Sequence, residues 1–409
     1  MLKRWNDICL YAQEDLFPAG AEPVCAPFAP LVILVRRDGL KSRGIWAVSS
    51  LAEVDEEESV RCLLPCRREE KESELEHFVA KHGATAANVS FTRVFDLLPQ
   101  FLFPKTTGFR VTLVGLGDVG GTVLTGLKLL GQEIDEIAIY DPNEAMCRRY
   151  EMELNQVLPV APGGRVPQVT VCPEERLFDC DLFVFTASRG VPALNSGVKD
   201  VRMAQFDANR AMLGVYARKA REAAFKGLFC QVSDPVDHLS REVFLSSNRD
   251  GDGAYDFAGL LPEQVQGFGL GVMAARADYY ARKEAVPFDS GRVYGPHGQG
   301  LIVANSPDEG YDDALSCRLT DLTRTANLQV RELGFKPYIA PGLSSAAVSL
   351  LRLLRGEVHY GAVPLGGAYF GCANRMTRRG VALCREKICD ELLDRLEETH
   401  RALREFDYA

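Results

Sequence analysis

The sequence predicts an α/β protein with a doubly wound parallel sheet, followed by an α+β domain and preceded by a small α/β or α+β extension. From Phe109 onward, short apolar runs alternate with helical patterns, which is typical of parallel strands joined by covering helices. A glycine-rich turn follows the first of these runs, and 409 residues suffice for two or three domains. We therefore expect the extension at 1–106, the doubly wound domain at 107–270 and the α+β domain at 271–409.

Composition and charge place the chain among globular proteins. Hydrophobic residues make up 46% of the chain and charged residues 25%, which is enough for a large core. Its 47 Lys and Arg against 56 Asp and Glu give a net charge of −9, which disfavours nucleic-acid binding. The sequence shows neither a signal-peptide pattern nor an apolar run long enough for a membrane span, so we expect a cytoplasmic protein without membrane contact. The twelve cysteines lack zinc-site spacing, so we expect reduced thiols and no metal.

The region 1–106 carries few patterns that indicate a function. An apolar run at Leu31–Val35 predicts a strand, and a charged run at 69–81 predicts a helix. The acidic residues 55–58 are typical of a solvated loop or helix start, and 104–108 has the composition of a linker. The sequence here contains no catalytic pattern, so the role of this region stays open.

The middle of the chain alternates between predicted strands and helices. Its clearest elements are strand Arg110–Val114, helix Val119–Leu130, strand Glu136–Asp141, strand Leu182–Thr186 and strand Leu228–Val232. The last hundred residues are mixed and close with a helix-rich, charge-striped segment at 381–406.

A glycine pattern between the first strand and helix of this alternation indicates a dinucleotide site. Gly115 suits the tight turn, Gly117 lets the backbone approach a pyrophosphate, and Gly120 lets the helix pack on the strand. Asp141 lies 24 residues beyond Gly117, close to the spacing of the ribose-binding acid in Rossmann-type folds. This acid favours NAD over NADP because it repels a 2′-phosphate, and the helix N-terminus attracts phosphate.

A glycine-rich turn without any ligand is the alternative, but the complete strand, turn, helix and acid favour the dinucleotide site. The NAD-binding residues predicted in this unit are Gly115, Gly117, Asp118, Val119, Gly120 and Asp141.

Six further segments resemble, in the same order, those of the L-lactate/malate dehydrogenase family. They are DLFVFTAS at 181–188, VRMAQFDAN at 201–209, VSDPVD at 232–237, GFGLGVMAAR at 267–276, GPHGQ at 295–299 and YIAPG at 338–342. The resemblance spans roughly residues 109–409 and implies a Rossmann-type domain followed by an α+β substrate and catalytic domain. It also implies NAD as cofactor, a small 2-hydroxy or 2-oxo acid as partner, and a homo-oligomer, either a dimer or a tetramer.

The activity implied by the resemblance is hydride transfer between nicotinamide and C2 of a 2-hydroxy/2-oxo acid or a close variant. His297 is then the proton donor, a task that suits histidine because it titrates near working pH. Arg276 binds the substrate carboxylate through two parallel N–H bonds, and Arg202 arrives on a closing loop to polarise the carbonyl. The resemblance also implies that Asn209 contacts both the substrate and the cofactor. The remaining cofactor contacts implied are Thr186, Ala187, Ser188 and Val232.

Two positions depart from the family's pattern, and both lie in the predicted active site. The aspartate that orients the histidine falls at Met273, whose thioether cannot accept a strong charge-assisted hydrogen bond, and the turn asparagine is Asp234. In one interpretation Asp234 takes over from the lost acid, pairs with His297 and becomes catalytic. In the other, the relay has decayed and the protein is an NAD-binding regulatory or structural pseudo-dehydrogenase.

The segment between Thr186 and Asn209 is a few residues longer than is usual in the family. Malate-type members place an extra arginine there, and lactate-type members place a neutral residue. Arg189 and Lys199 are both candidates for binding a second carboxylate, so the identity of the substrate stays open.

Overall fold

The structure is a computed structural model that describes residues 1–66, 73–158, 165–189 and 201–408, with the side chains of 201–204 outside the description. Its strands are β1 Leu2–Trp5, β2 Ile8–Tyr11, β3 Glu22–Pro23, β4 Leu31–Val35, β5 Ile45–Val48, β6 Ala84–Asn88, β7 Phe109–Val114, β8 Ile134–Tyr140, β9 Gln168–Val171, β10 Leu182–Phe185, β11 Leu228–Gln231, β12 Val265–Gly267, β13 Arg292–Tyr294, β14 Ile302–Ala304, β15 His359–Leu365, β16 Ala368–Thr377 and β17 Gly380–Leu383.

Helices occupy much of the remaining described chain. They are α1 Ala52–Asp55, α2 Glu74–His82, α3 Val94–Leu102, α4 Asp118–Leu130, α5 Glu144–Leu154, α6 Val201–Glu222, α7 Val236–Ser247, α8 Leu270–Lys283, α9 Asp313–Glu332, α10 Val348–Leu354 and α11 Asp390–Arg404. A π-helical segment, Pro341–Ala347, leads into α10. Within the described residues, none of these helices combines the length and apolar character of a membrane span.

The parallel half of the main sheet confirms the predicted fold class. Strands β9, β8, β7, β10, β11 and β12 are neighbours in that order, and every pair among them is parallel. Chain order therefore reverses between β7 and β10. In sheets of this kind, ligands bind in the crevice outside the carboxyl ends of the strands at such a reversal. Gly115 follows β7 and Thr186 follows β10, so both predicted cofactor segments lie at this crevice.

The N-terminal region continues the same sheet. Strands β15, β16 and β17 extend it antiparallel from β12, and β17 then pairs with β5 through Val381 and Trp46. Strands β6, β4, β2, β1 and β3 complete the sheet beyond β5. This continuity shows how residues 1–106 attach to the rest of the chain, and the predicted domain boundaries stay predictions.

Several predicted elements agree with the structure, and one segment does not. The strand at Leu31–Val35 is confirmed, and the predicted N-terminal helix begins at Glu74, with 67–72 outside the described residues. The prediction of a helix-rich segment at 381–406 is wrong in its first part, because Val381 lies in strand β17 and pairs with Met376 of β16. The helix there begins only at Asp390.

Candidate active site

The turn after β7 is closed at two glycines and open at the third. Gly115 has a φ of +95°, and a Cβ there would lie 2.6 Å from the backbone nitrogen of Ala187. A Cβ on Gly120 would collide with the carbonyl oxygen of Gly115, so the first turn of α4 packs directly on the strand end. A Cβ on Gly117 would meet no atom within 4 Å. The tight packing holds the turn, and the space beside Gly117 is free for an incoming group.

Helix α4 begins in this turn and directs its N-terminus toward the open space. Its N-cap residue is Gly117, which has no side chain to cap the first N–H groups of the 13-residue helix. The Asp118 carboxylate lies 3.0 Å from the ammonium of Lys336, so its charge is balanced by a lysine. Free N–H groups and the positive end of the helix dipole make this position suitable for a phosphate.

Asp141 ties the end of β8 to the glycine turn. Its Oδ2 accepts a hydrogen bond of 2.8 Å from the N–H of Leu116, and its Oδ1 accepts one of 2.9 Å from the N–H of Asn143. Each carboxylate oxygen can accept a further bond, so hydroxyl groups of a ribose can still be bound.

The segment after β10 is held against both neighbouring strands. The Thr186 hydroxyl donates to the carbonyl of Gly115 at 2.6 Å, and the Ser233 hydroxyl donates to the carbonyl of Ala187 at 2.6 Å. Val232 continues β11 by donating its N–H to Phe185 at 3.0 Å. The predicted cofactor residues on β10 and β11 thus form one connected edge beside the glycine turn.

Asn209, fully buried on α6, joins these two strand ends. Its Oδ1 accepts the N–H of Arg189 at 3.0 Å, and its Nδ2 donates to the carbonyl of Asp234 at 2.8 Å. The Ser188 hydroxyl lies 3.4 Å from the same amide. Asn209 therefore fixes the backbone on which Asp234 stands.

His297 lies on the turn after β13 and is held at three points. Its backbone N–H donates to Oδ2 of Asp237 at 2.9 Å, and its ring Nδ1 lies 2.6 Å from the carbonyl oxygen of Gly269. Its Nε2 lies 3.8 Å from Oδ1 of Asp234, within ion-pair distance but beyond a hydrogen bond. Because a carbonyl can only accept, Nδ1 carries the proton and Nε2 is the basic nitrogen when the ring is neutral.

Asp234 therefore approaches the histidine at Nε2, whereas the oriented nitrogen is Nδ1. The side chain of Asp234 is 48% exposed and that of His297 is 16% exposed, so the contact faces open space. The orienting bond comes from a backbone carbonyl, a contact that neither interpretation of the sequence includes.

Arg276 and Met273 lie one turn apart on α8 beside this histidine. The guanidinium Nη1 is 3.8 Å from the Met273 sulfur, and burial lowers the pKa of Arg276 from its ordinary value. Arg276 makes no ion pair with any described residue, so a partly buried positive charge is available for an anion.

One cavity of about 1040 Å³ contains these groups together. Its walls include Asp234, Met273, Arg276 and His297, and Val119 in the first turn of α4 reaches the same space. The structure thus brings the predicted proton donor and carboxylate anchor together with one predicted cofactor residue, Val119.

Helix α6 also borders the cavity, through Gln205. Arg202 belongs to the first turn of that helix, but its side chain lies outside the described residues, as does the whole of Lys199.

Three contributors to the site are missing from the sequence predictions, and two of them leave only weak signals in the sequence. The Gly269 carbonyl holds the histidine, and the buried Ser345 hydroxyl donates to the same carbonyl at 2.6 Å. Every glycine carries such a carbonyl and every serine such a hydroxyl, so residue type alone does not single these two out. Asp237 belongs to the VSDPVD turn, where an acid two residues beyond the proline is a usable signal.

Comparison with known proteins gives relatives that belong to one group of enzymes. No family model matches the chain. It is 26% identical over 284 residues to an L-lactate dehydrogenase of Treponema denticola, covering 68% of this chain and 78% of that relative. It is 26% identical over 334 residues to an L-lactate dehydrogenase of Corynebacterium glutamicum, covering 74% of this chain and 98% of the relative.

Solved structures of similar fold belong to the same group of enzymes. A lactate dehydrogenase from a Medee basin deep-sea metagenome has a TM-score of 0.57 at 18% identity, over 73% of this chain and 97% of the other. A malate dehydrogenase of Archaeoglobus fulgidus in complex with NADH has a TM-score of 0.59 at 20% identity, over 72% and 97%. The fold class and the resemblance predicted from the sequence are both confirmed, and this chain is similar to lactate and malate dehydrogenases over about three quarters of its length.

Proposed function

We propose that this protein is an NAD-dependent dehydrogenase of the lactate/malate type, acting at C2 of a 2-hydroxy/2-oxo acid or a close variant. The observation that carries the proposal is the single cavity shared by Arg276, His297 and Val119, which lies in the first turn of α4 next to the glycine turn. The relatives and structural neighbours, all named as lactate or malate dehydrogenases, support it.

The glycine turn fits a dinucleotide. The open space beside Gly117, the uncapped N-terminus of α4 and the carboxylate of Asp141 supply room, phosphate donors and a ribose acceptor, respectively. When bound, NAD would supply or accept the hydride. Asp141 would favour NAD over NADP because its charge repels a 2′-phosphate.

Arg276 would hold the carboxylate of the acid. A guanidinium binds a carboxylate through two parallel N–H bonds, which fixes the direction in which C2 points. Partial burial strengthens this pairing, because water competes less for the charge. The Met273 side chain beside it fills space without competing for the guanidinium as a carboxylate would.

His297 would move the proton. With Nδ1 bound to the Gly269 carbonyl, the lone pair of Nε2 faces the cavity and accepts the proton of the substrate hydroxyl during oxidation. In the reduction direction, protonated Nε2 returns it to the carbonyl oxygen. Asp234 would then place a negative charge 3.8 Å from the imidazolium.

Two further roles follow from the resemblance. Arg202, which belongs to the first turn of α6, would polarise the substrate carbonyl when this part of the chain closes over the substrate and excludes water. Asn209 would position the substrate and cofactor walls through its bonds to Arg189 and Asp234. We also propose a homo-oligomer in the cytoplasm, which light scattering of the purified protein and fractionation of cells would check.

A second candidate is an NAD-binding regulatory or structural protein without efficient turnover. The observation favouring it is Met273: among the described residues, the groups bonded to His297 Nδ1 include only the neutral carbonyl of Gly269. Loss of an orienting acid lowers kcat about 10⁴-fold in serine proteases. Both candidates require cofactor binding, so turnover has to separate them.

The deciding experiment combines NADH binding, followed by fluorescence, with NADH oxidation against a panel of 2-oxo acids. We expect turnover that falls at least about 100-fold in His297→Gln and Arg276→Gln while the Kd for NADH stays unchanged. His77→Gln, at an exposed histidine of α2, is the matched control. Tight NADH binding without turnover of any panel member would favour the regulatory candidate.

A further inference from the structure

The cavity is large for a three-carbon acid and a nicotinamide ring. Ligand pockets commonly have volumes of ~300–1,000 Å³, and this cavity reaches about 1040 Å³. Beyond Arg276 and His297 it is bordered by one face of α9, through Arg324, Asn327 and Arg331. Their spacings of three and four residues place all three on the same side of the helix. The spare volume is thus bordered by two arginines and an amide.

The two α9 arginines that border the cavity, Arg324 and Arg331, differ in their contacts. Arg324 lies 2.9 Å from a carboxylate oxygen of Asp321 and donates to the side chain of Gln299 at 3.3 Å, two residues beyond His297. Arg331 is exposed and forms no ion pair with any described residue. Arg324 is therefore linked to the turn that carries the histidine, and Arg331 has an available charge.

The acids that border the cavity leave this charge available. Asp237 is bound to the backbone N–H of His297, and Asp234 faces the ring of the same residue. Among the described residues, the remaining acid on the cavity wall is Glu398, on a different helix, α11. The α9 face is therefore a cationic part of the described wall once Arg276 has bound the substrate carboxylate.

We propose that Arg331 and Arg324, together with Asn327, bind a second anionic group at the far end of the substrate. The substrate is then an elongated 2-hydroxy/2-oxo acid that carries a distal carboxylate or phosphate. This inference rests on the proposed function for the identity of the reacting end. It assigns distal recognition to α9 and not to Arg189 or Lys199, the candidates in the sequence.

The test uses matched pairs of linear 2-oxo acids of equal chain length, with and without a terminal carboxylate, in a series of increasing length. A terminal phosphate forms a third arm that separates the two anion sources. Binding is measured by calorimetry with the protein saturated in NADH analogue or NAD, and kcat/KM is measured separately. We expect the anion-terminated acid of the best length to bind about tenfold more tightly than its neutral partner.

Arg331→Gln and Arg324→Gln should each remove this preference, and Arg331→Gln should leave binding of the neutral-ended acid unchanged. Arg318→Gln is the matched control, because Arg318 lies on the same helix, pairs with Glu284 and does not border the cavity. Equal binding of both members of every pair in the unmodified protein would overturn the inference. So would a preference for an amine-terminated acid that disappears in Glu398→Gln.

The outcome for the proposed function is read independently. A binding preference that depends on Arg331, without any turnover, supports the distal anion site and contradicts the dehydrogenase reaction. Turnover without a preference supports the reaction and contradicts the site.

Discussion

The Nδ1 atom of His297 lies 2.6 Å from the carbonyl oxygen of Gly269, the residue that precedes α8. Ser345 donates its hydroxyl to the same oxygen at 2.6 Å and accepts the N–H of Val272 at 2.9 Å. This carbonyl fixes the ring and its tautomer, as an aspartate does in the family. It carries no full charge, so it stabilises the protonated ring less than a carboxylate would.

This relationship predicts that a methyl group at Gly269 disables the histidine. A Cβ there would lie 2.7 Å from the Cβ of His297, so the ring would be displaced from its bond to the carbonyl. We expect Gly269→Ala to lower kcat/KM at least tenfold for any accepted 2-oxo acid, because a small misplacement of a catalytic group is costly. Steady-state kinetics would show this, and NADH binding should stay unchanged.

Gly251→Ala is the control for that substitution. Position 251 has open space where the Cβ would stand, so the same chemical change is made without a collision. Equal kinetics of Gly269→Ala and Gly251→Ala would contradict the role given to the carbonyl.

Asp234 predicts an effect on substrate affinity. Its carboxylate borders the cavity that is expected to receive an anionic acid, and it is 48% exposed. Asp234→Asn keeps the size and removes the charge, so we expect KM for 2-oxo acids to fall about fivefold because like-charge repulsion is lost. The measurement is KM across the same panel of 2-oxo acids.

Restoring the arrangement that the resemblance implies tests whether the acid has moved from position 273 to position 234. The double change Met273→Asp plus Asp234→Asn places a carboxylate on α8 and an amide on the turn. We expect turnover of lactate or malate to rise above that of the parent. If the pair gives no increase, the exchange of acid between these two positions does not explain the departure from the family.

The open space beside Gly117 predicts a substitution that blocks the cofactor and spares the fold. A Cβ at this position meets no atom within 4 Å, and φ is −68°, so a side chain is accepted without strain. Gly117→Val would place methyl groups where a pyrophosphate approaches, and we expect NADH affinity to fall more than about tenfold.

The melting temperature of Gly117→Val should stay close to that of the unmodified protein. Gly251→Val, at another open glycine, is the matched control for both measurements. Unchanged NADH affinity in Gly117→Val would remove the turn from the cofactor site.

The parallel half of the fold could be predicted from the sequence because local patterns determine it. Alternation of apolar runs, the glycine turn and Asp141 at the next strand end all act over short distances along the chain. The pairing of Val381 with Trp46 could not be predicted from the sequence, because it joins segments that are remote along the chain. This pairing places β17 inside the sheet. A charge-striped segment that continues into α11 then looks helical throughout.

In the site, too, the sequence indicates some features and not others. The chemistry of the side chains of His297, Arg276 and Asp234 indicates a role in the site, and the structure brings them into one cavity. The bond from His297 to the Gly269 carbonyl involves a backbone atom, and backbone contacts between remote segments leave no trace in residue type. The sequence therefore indicates which groups are available but not which nitrogen each one faces.

Glu263 attaches the N-terminal region to the rest of the chain. It is fully buried, and its carboxylate accepts the N–H groups of Gly44 and Ile45 at 2.9–3.0 Å, at the start of β5. Burial raises the pKa of Glu263 to about 7, although these backbone donors lower it in part. The protein therefore holds a proton on this carboxyl at pH values where the unfolded chain, with an ordinary pKa of 4.5, has lost it.

This difference predicts that stability falls as pH rises. The stabilisation is complete below the unfolded pKa of 4.5 and is lost progressively up to about pH 7, because only the folded state retains the proton in that window. The loss is about 3 kcal/mol, from the difference between the two pKa values. Urea unfolding at several pH values across the window measures it, and Glu263→Gln should remove this part of the slope. Glu144→Gln, at a carboxylate that is 87% exposed, should retain it. A slope that is identical in Glu263→Gln and the unmodified protein would mean that another group titrates, because the amide at 263 cannot.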